Sequence, residues 1–275
     1  MVAMRGRVLA IGGSDSGGGA GIQADIKTIT ALACYASTAI TALTAQDTTG
    51  VHGVFPVPAD FLALQISLAL ADPGADVVKT GMLGDSATID LVCDVLPPGL
   101  PLVVDPVMVA KGGFSLLASS SLETMKRRLL PLATLLTPNI PEAEALCGMA
   151  ILNRAGMVAA ADRLLRLGPA AVLLKGGHMK GETVADLLVT RNGAEIFERK
   201  RIDTRHTHGT GCTLASAVAA GLAQGMALRE AVLLAGDFVQ AAIAGAPGFG
   251  VGHGPLNHAA KTALYVKPPL GRRSC

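Results

Sequence analysis

The sequence predicts an α/β fold with a mostly parallel central sheet between helix layers and an antiparallel hairpin at one edge. Short β-rich runs alternate with longer segments of helical spacing. That is the βαβ pattern of a parallel sheet. The runs are almost continuously apolar rather than alternating, as expected of strands covered on both faces. A late pair of runs, Thr183 to Thr190 and Ala194 to Arg201, flanks Arg191-Asn192-Gly193, the chemistry of a tight hairpin turn.

In chain order, the strand pattern falls on Arg7 to Ile11, Ser37 to Ala45, Ala75 to Thr80, Pro101 to Val104, Ala133 to Leu136 and Ala170 to Leu174. Helical spacing falls between them, on Ala20 to Ala33, Ala59 to Ala71, Ser86 to Val95, Ser119 to Leu130, Ile140 to Cys147 and Gly156 to Leu167. Two further helices, Gly211 to Gln224 and Leu228 to Ala244, are expected to close the fold. Composition does not shift along residues 1–275, so a single domain is expected, with a loose tail after Lys267. Half the residues are hydrophobic but only 3% are aromatic, so Ala, Leu and Val must fill the core.

A net charge of +2 gives no field suited to nucleic acid or a membrane surface, and neither is expected as a partner. The five cysteines form no C-x-x-C pair, which argues against a disulfide framework or a zinc site and for a reducing cytoplasm. Val8 to Ile11 is too short for a signal-peptide core. No apolar stretch reaches the length of a membrane span.

The most informative stretch is Thr207-His208-Gly209-Thr210-Gly211-Cys212-Thr213, where a polar loop turns into an apolar helix. The first amides of a helix lack internal partners and attract anions, and glycine lets an anion approach the backbone. Alone, the run reads equally as a packed helix entry. Gly12 to Asp25 is richer in glycine than a strand-to-helix turn requires. Residues 19–24 loosely match a dinucleotide fingerprint, yet no acid follows about twenty residues on, and no Walker loop occurs.

The remaining candidates each follow a predicted strand. Gln46 offers an amide able to read a nitrogenous ring, or to satisfy loop backbone. Met82 offers an apolar wall, or ordinary core filler. Asp105 suits magnesium or a turn before Pro106. Asn139 and Glu142 suit the same ion or a helix capping box. Lys175, before Gly176-Gly177, can reach an anion or simply end its strand. In open parallel sheets, ligands sit beyond the carboxyl ends of the strands. A cation, carboxylates and an anion-binding helix start along one sheet edge are the parts phosphoryl transfer needs.

From Leu9 to His258 these residues resemble the hydroxymethylpyrimidine/phosphomethylpyrimidine kinases of the ribokinase-like superfamily. The resemblance runs through Gly12 to Asp25, Thr41 to Gln46, Lys79 to Leu83, Asp105 to Gly112, Thr137 to Glu144, Lys175 to His178 and His206 to Ser216. It implies a three-layer α/β/α fold, ATP with magnesium, a homodimer, and phosphorylation of 4-amino-5-hydroxymethyl-2-methylpyrimidine and then of its monophosphate. By it, Gln46 reads the pyrimidine, and Gly13, Ala20, Asp25 and Met82 surround it. Lys175 with Gly209, Thr210, Gly211 and Cys212 holds the transferring phosphate, while Asp105, Asn139 and Glu142 organise magnesium and ATP. Cys212 replaces the aspartate base of many sugar kinases. A thiol at a helix start beside cations is expected to ionise more readily than usual and act as a modest base. The rival readings are a pyridoxal kinase, a dual-specificity enzyme, and a non-catalytic sensor of pyrimidine or nucleotide.

Overall fold

A computed structural model describes residues 4–110, 113–118 and 120–260. The expected loose tail after Lys267, residues 111 and 112 of the Asp105 motif and the first residue of the expected Ser119 helix lie outside the described residues. The strands are β1 (Arg7–Asp15), β2 (Tyr35–Gln46), β3 (Val51–Pro56), β4 (Val77–Thr80), β5 (Leu102–Val104), β6 (Leu135–Leu136), β7 (Ala171–Leu174), β8 (Thr183–Thr190) and β9 (Gly193–Lys200). The helices are α1 (Gly21–Ala31), α2 (Ala59–Ala71), α3 (Ser86–Val95), α4 (Ser121–Thr124), α5 (Ile140–Cys147), α6 (Arg154–Leu165), α7 (Thr210–Ala223) and α8 (Leu228–Ala244).

Among the described residues the sheet order is β3-β2-β1-β4-β5-β6-β7-β8-β9. The strands from β2 through β7 pair in parallel, and antiparallel strands finish both edges. Side chains alternate across the pleat. Val8 and Ala10 face the layer of α1, α7 and α8, whereas Leu9 and Ile11 face that of α2, α3, α5 and α6. Each fully buried Val or Leu contributes about 1.5–3 kcal/mol. α7 is so closely sandwiched that Ala215, Ala217, Ala219 and Ala220 are wholly buried, and a Cβ on Gly221 would lie 2.8 Å from the Ala231 Cβ. That explains an alanine-filled core.

The expected hairpin and parallel order are present, with three corrections. β3 had been overlooked. Val51 to Pro56 is short, interrupted by Gly53 and ended by proline, so it carries little strand signal, yet it pairs antiparallel with β2 at the sheet edge. The expected Ser119 to Leu130 helix is broken into α4, a π-turn over Met125–Leu129 and a 3-10 turn over Leu130–Leu132, where Pro131 prevents continuation. The strand expected to end at Ile11 runs on to Asp15, carrying the first glycines of the loop with it, with a register shift between Gly12 and Ser14.

β1 lies between β2 and β4, so successive connections leave it in opposite directions. Such a switch point opens a crevice beyond the strand ends. Among the described residues no helix is long and apolar enough to cross a membrane.

Candidate active site

A cavity of about 720 Å³ opens at that crevice. Gly13, Ala20, Asp25, Gln46, Met82, Asp105, Asn139, Glu142, Lys175, Gly209, Thr210, Gly211 and Cys212 all border it. The residues singled out from the sequence are therefore brought together, with Cys212 and Gln46 on the same cavity.

One end of the cavity is built by α7. Gly209 caps it with φ +84°, and an added Cβ would overlap the Gly19 carbonyl oxygen. Only glycine allows this approach. The Gly211 and Cys212 amides precede the first intrahelical bond, from Thr213 N to Gly209 O at 2.9 Å. Lys175, just after β7, donates from Nζ to Asp105 Oδ1 at 2.7 Å, and Thr137 Oγ1 lies 3.2 Å from the same oxygen. A Cβ on Gly211 would come within 3.2 Å of Lys175 Nζ and 3.4 Å of Asp105 Oδ2. The ion pair thus faces the bare start of α7. Burial opposes the charge on Lys175, but Asp105 and Glu142 outweigh it and raise its pKa.

Asn139 and Glu142 form the capping box of α5. Asn139 Oδ1 accepts from the Glu142 amide at 2.9 Å, and Glu142 Oε2 accepts from the Asn139 amide at 2.8 Å. Burial pushes the Glu142 carboxyl up to about 7, against the pull of Lys175.

At the other end, Met82 packs so closely on Gly13 that a Cβ there would meet its sulfur at 2.8 Å. Gln46 closes β2 beside His208, their Nε2 atoms 3.4 Å apart. His208 Nε2 bonds Asp15 Oδ2 at 2.8 Å, an oxygen that also accepts from the Gly19 and Ala20 amides at 3.0 and 2.8 Å. Burial raises the Asp15 pKa, yet His208 and the amides of Ala20 and Gly17 lower it overall. The carboxylate fixes the histidine tautomer: Nε2 carries the proton.

Two residues behave differently from expectation. Burial pushes the Cys212 thiol up to about 11, because removal from water outweighs the nearby Lys79 cation and the helix start. It is therefore a neutral thiol near pH 7, not a readily ionised one. Asp25 borders the cavity, but its oxygens accept from Lys79 Nζ at 2.9 and 3.0 Å and from Ser216 Oγ at 2.7 Å. Sequence reasoning assigned no role to Asp15, Lys79, His208 or Ser216. Only Lys79 carried a signal, as a cation inside the apolar run of a doubly covered strand. The far wall of the cavity, from Arg199 to Ile202 and along Val239, Gln240 and Ile243, had none.

A family model for phosphomethylpyrimidine kinase matches residues 15–257. The chain belongs to the phosphomethylpyrimidine kinase family. It is a phosphotransferase. It is 51% identical over 256 residues to the thiamine biosynthesis bifunctional protein ThiED of Geobacter sulfurreducens, covering 92% of this chain but only 52% of that protein. The chain thus spans about half the length of that relative. It is 45% identical over 252 residues to the hydroxymethylpyrimidine/phosphomethylpyrimidine kinase of Streptomyces coelicolor, covering 91% and 93% of the two chains. Its fold is similar to the pyridoxal kinase of Staphylococcus aureus in complex with AMP-PCP and pyridoxal, with a TM-score of 0.87 at 35% identity over 94% and 95% of the chains.

Gly209→Ala is expected to cost roughly 2 kcal/mol or more of stability, through positive φ and overlap with Gly19. It should also weaken nucleotide binding. Thermal melts with and without nucleotide check both, and unchanged nucleotide affinity would remove Gly209 from the anion site.

Proposed function

We propose that the chain transfers the terminal phosphoryl group of ATP to the hydroxymethyl group of 4-amino-5-hydroxymethyl-2-methylpyrimidine, and then phosphorylates the resulting monophosphate to the diphosphate. The observation that carries this reading is the Lys175–Asp105 pair facing Gly211 at the start of α7, in one cavity with Gln46 and Met82. Family membership supports it.

In this reading Lys175 and the amides of Gly211 and Cys212 hold the migrating phosphoryl group, whose transfer is mainly positioning and charge neutralisation. The amide of Gln46 reads one edge of the ring, with Met82 and Gly13 forming the wall it slides along. The apolar far wall, Val239 and Ile243 beside Gln240 and the end of β9, takes the adenine.

Magnesium fits the residues present. Among the described residues no three His, Cys, Asp or Glu side chains form a metal cage. This ion is commonly held through one or two carboxylates together with substrate phosphates and water. Asp105 and Glu142 supply such a pair, and a buried carboxyl pushed up to about 7 is one whose charge a cation would relieve. Bound there, magnesium would neutralise phosphate charge.

Cys212 begins as a neutral thiol, so the substrate alcohol is not ionised beforehand. A loose transition state tolerates this, since the alcohol proton leaves late, passing to the small thiolate fraction of Cys212. The second nucleophile is a phosphate monoester, already anionic. It needs no base.

Pyridoxal phosphorylation is the second reading, favoured by the structural likeness to a pyridoxal kinase. A homodimer is also proposed. Phe61, Leu64 and Leu68 line one face of α2, each more than half exposed, beside exposed Phe55 on edge strand β3.

Separate reactions of ATP and magnesium with the pyrimidine, its monophosphate and pyridoxal are expected to give diphosphate from the monophosphate, identified by mass. No product from either pyrimidine would defeat the reading. Cys212→Ala should slow phosphorylation of the alcohol more than that of the monophosphate. Because the thiolate fraction rises about tenfold per pH unit below its pKa, the wild-type alcohol step should quicken from pH 7 to 9 while the monophosphate step does not. Equal losses and parallel pH profiles would exclude a proton-accepting role for the thiol. Light scattering should give twice the chain mass for the wild type and the single-chain mass for Phe61→Glu.

A further inference from the structure

A lysine buried in the middle of a sheet calls for explanation. Lys79 is wholly buried within β4, between the buried Val78 and Thr80. Its Nζ grips both oxygens of Asp25, itself wholly buried. Replacing such a pair by apolar residues is often neutral or stabilising, so stability alone is a weak reason for it. Its location is more telling.

Asp25 lies on α1, directly behind the glycine-rich loop. Lys79 lies on β4, just ahead of Met82. The third partner, Ser216, is on α7, fully buried, and its Oγ bonds Asp25 Oδ1 at 2.7 Å. Ser216 follows Cys212 by four residues, so both lie on one face of the helix, a turn apart. One carboxylate therefore joins the three elements that bring the loop, the ring wall and the phosphate-binding helix start to the cavity.

We propose that Lys79 is a positioning residue for phosphoryl transfer: through Asp25 and Ser216 it fixes the height of the first turn of α7, and so aims the Gly211 and Cys212 amides at the Lys175–Asp105 pair. The Lys79–Asp25 pair is the anchor and Ser216 the link. α7 presents mostly alanine to its neighbours, which gives it few interlocking side chains to prevent sliding along its axis. The buried hydroxyl-to-carboxylate bond supplies a directional stop. Lys79 also stands close enough to Cys212 to oppose the effect of burial on its thiol, an added electrostatic contact between anchor and site.

This proposal rests on the kinase reading, and the test separates the two. Ser216→Ala removes the link while leaving the Lys79–Asp25 pair intact, and alanine is favoured in a helix interior. With ATP saturating, its kcat on the pyrimidine is expected to fall at least about tenfold, with KM for the pyrimidine within about twofold of wild type and the melting temperature nearly unchanged. Lys79→Met combined with Asp25→Asn removes the charge of the anchor and should lower kcat likewise, circular dichroism reporting whether it is folded. Wild-type kcat in Ser216→Ala, whatever its melting temperature, would overturn the proposal and leave the pair as core structure. Wild-type enzyme assayed alongside tests the kinase reading on its own. If it uses pyridoxal rather than the pyrimidine, the same comparison of kcat and KM is made on pyridoxal.

Discussion

The whole site depends on the approach of two stretches of bare backbone. Gly209 at the head of α7 lies against the carbonyl of Gly19, and a single methyl group on Gly209 would force them apart. Because the helix start is held there, its open amides face the cation that follows β7 and the carboxylate that follows β5. An arrangement drawn from one helix end and two strand ends needs this contact. The glycines fix distance, and the charges act across it.

Those charges are arranged in compensated groups. Asp105 with Lys175 faces the start of α7, Asp25 with Lys79 lies beneath the helix, and Asp15 bonds His208 beside Gln46. Each member is expensive to bury alone and tolerable with its partner. Glu142 is the exception, with burial outweighing Lys175 and leaving its carboxyl near neutral pH. The local field is thus least balanced where a divalent ion would enter. By contrast, the carboxylate beside Gln46 and Met82, Asp15, is fully engaged by His208 and the loop amides.

The parallel sheet, its helix layers and the edge hairpin were legible because apolar periodicity depends on local sequence. The residues that border the cavity were legible as well, since their clusters lie at or just beyond strand ends and carry the residue types that phosphoryl transfer would need. β3 was not, because pairing at a sheet edge is decided by its neighbour more than by its own composition. The Cys212 expectation failed for a related reason. A sequence shows the helix start and the nearby cation, but not the depth of burial that overrides them. Asp15, His208 and Ser216 lacked a signal because their roles arise from contacts between distant segments, 193 positions apart for the first two and 191 for Asp25 and Ser216. Local motifs revealed what borders the cavity, while the supporting contacts emerged only with the fold.

The segment after α8 returns to the same place. His258 bonds Thr213 at 2.9 Å, its ring held neutral by burial at a pKa of about 4, and Pro255 bridges to His208. His253 bonds the carbonyl of Thr48, in the turn between β2 and β3, at 2.7 Å. The glycine loop after β1 leaves the ribosome well before the segment that packs over this end of the cavity. In a nascent chain these contacts therefore stay unmade until the later stretch folds back onto the earlier one.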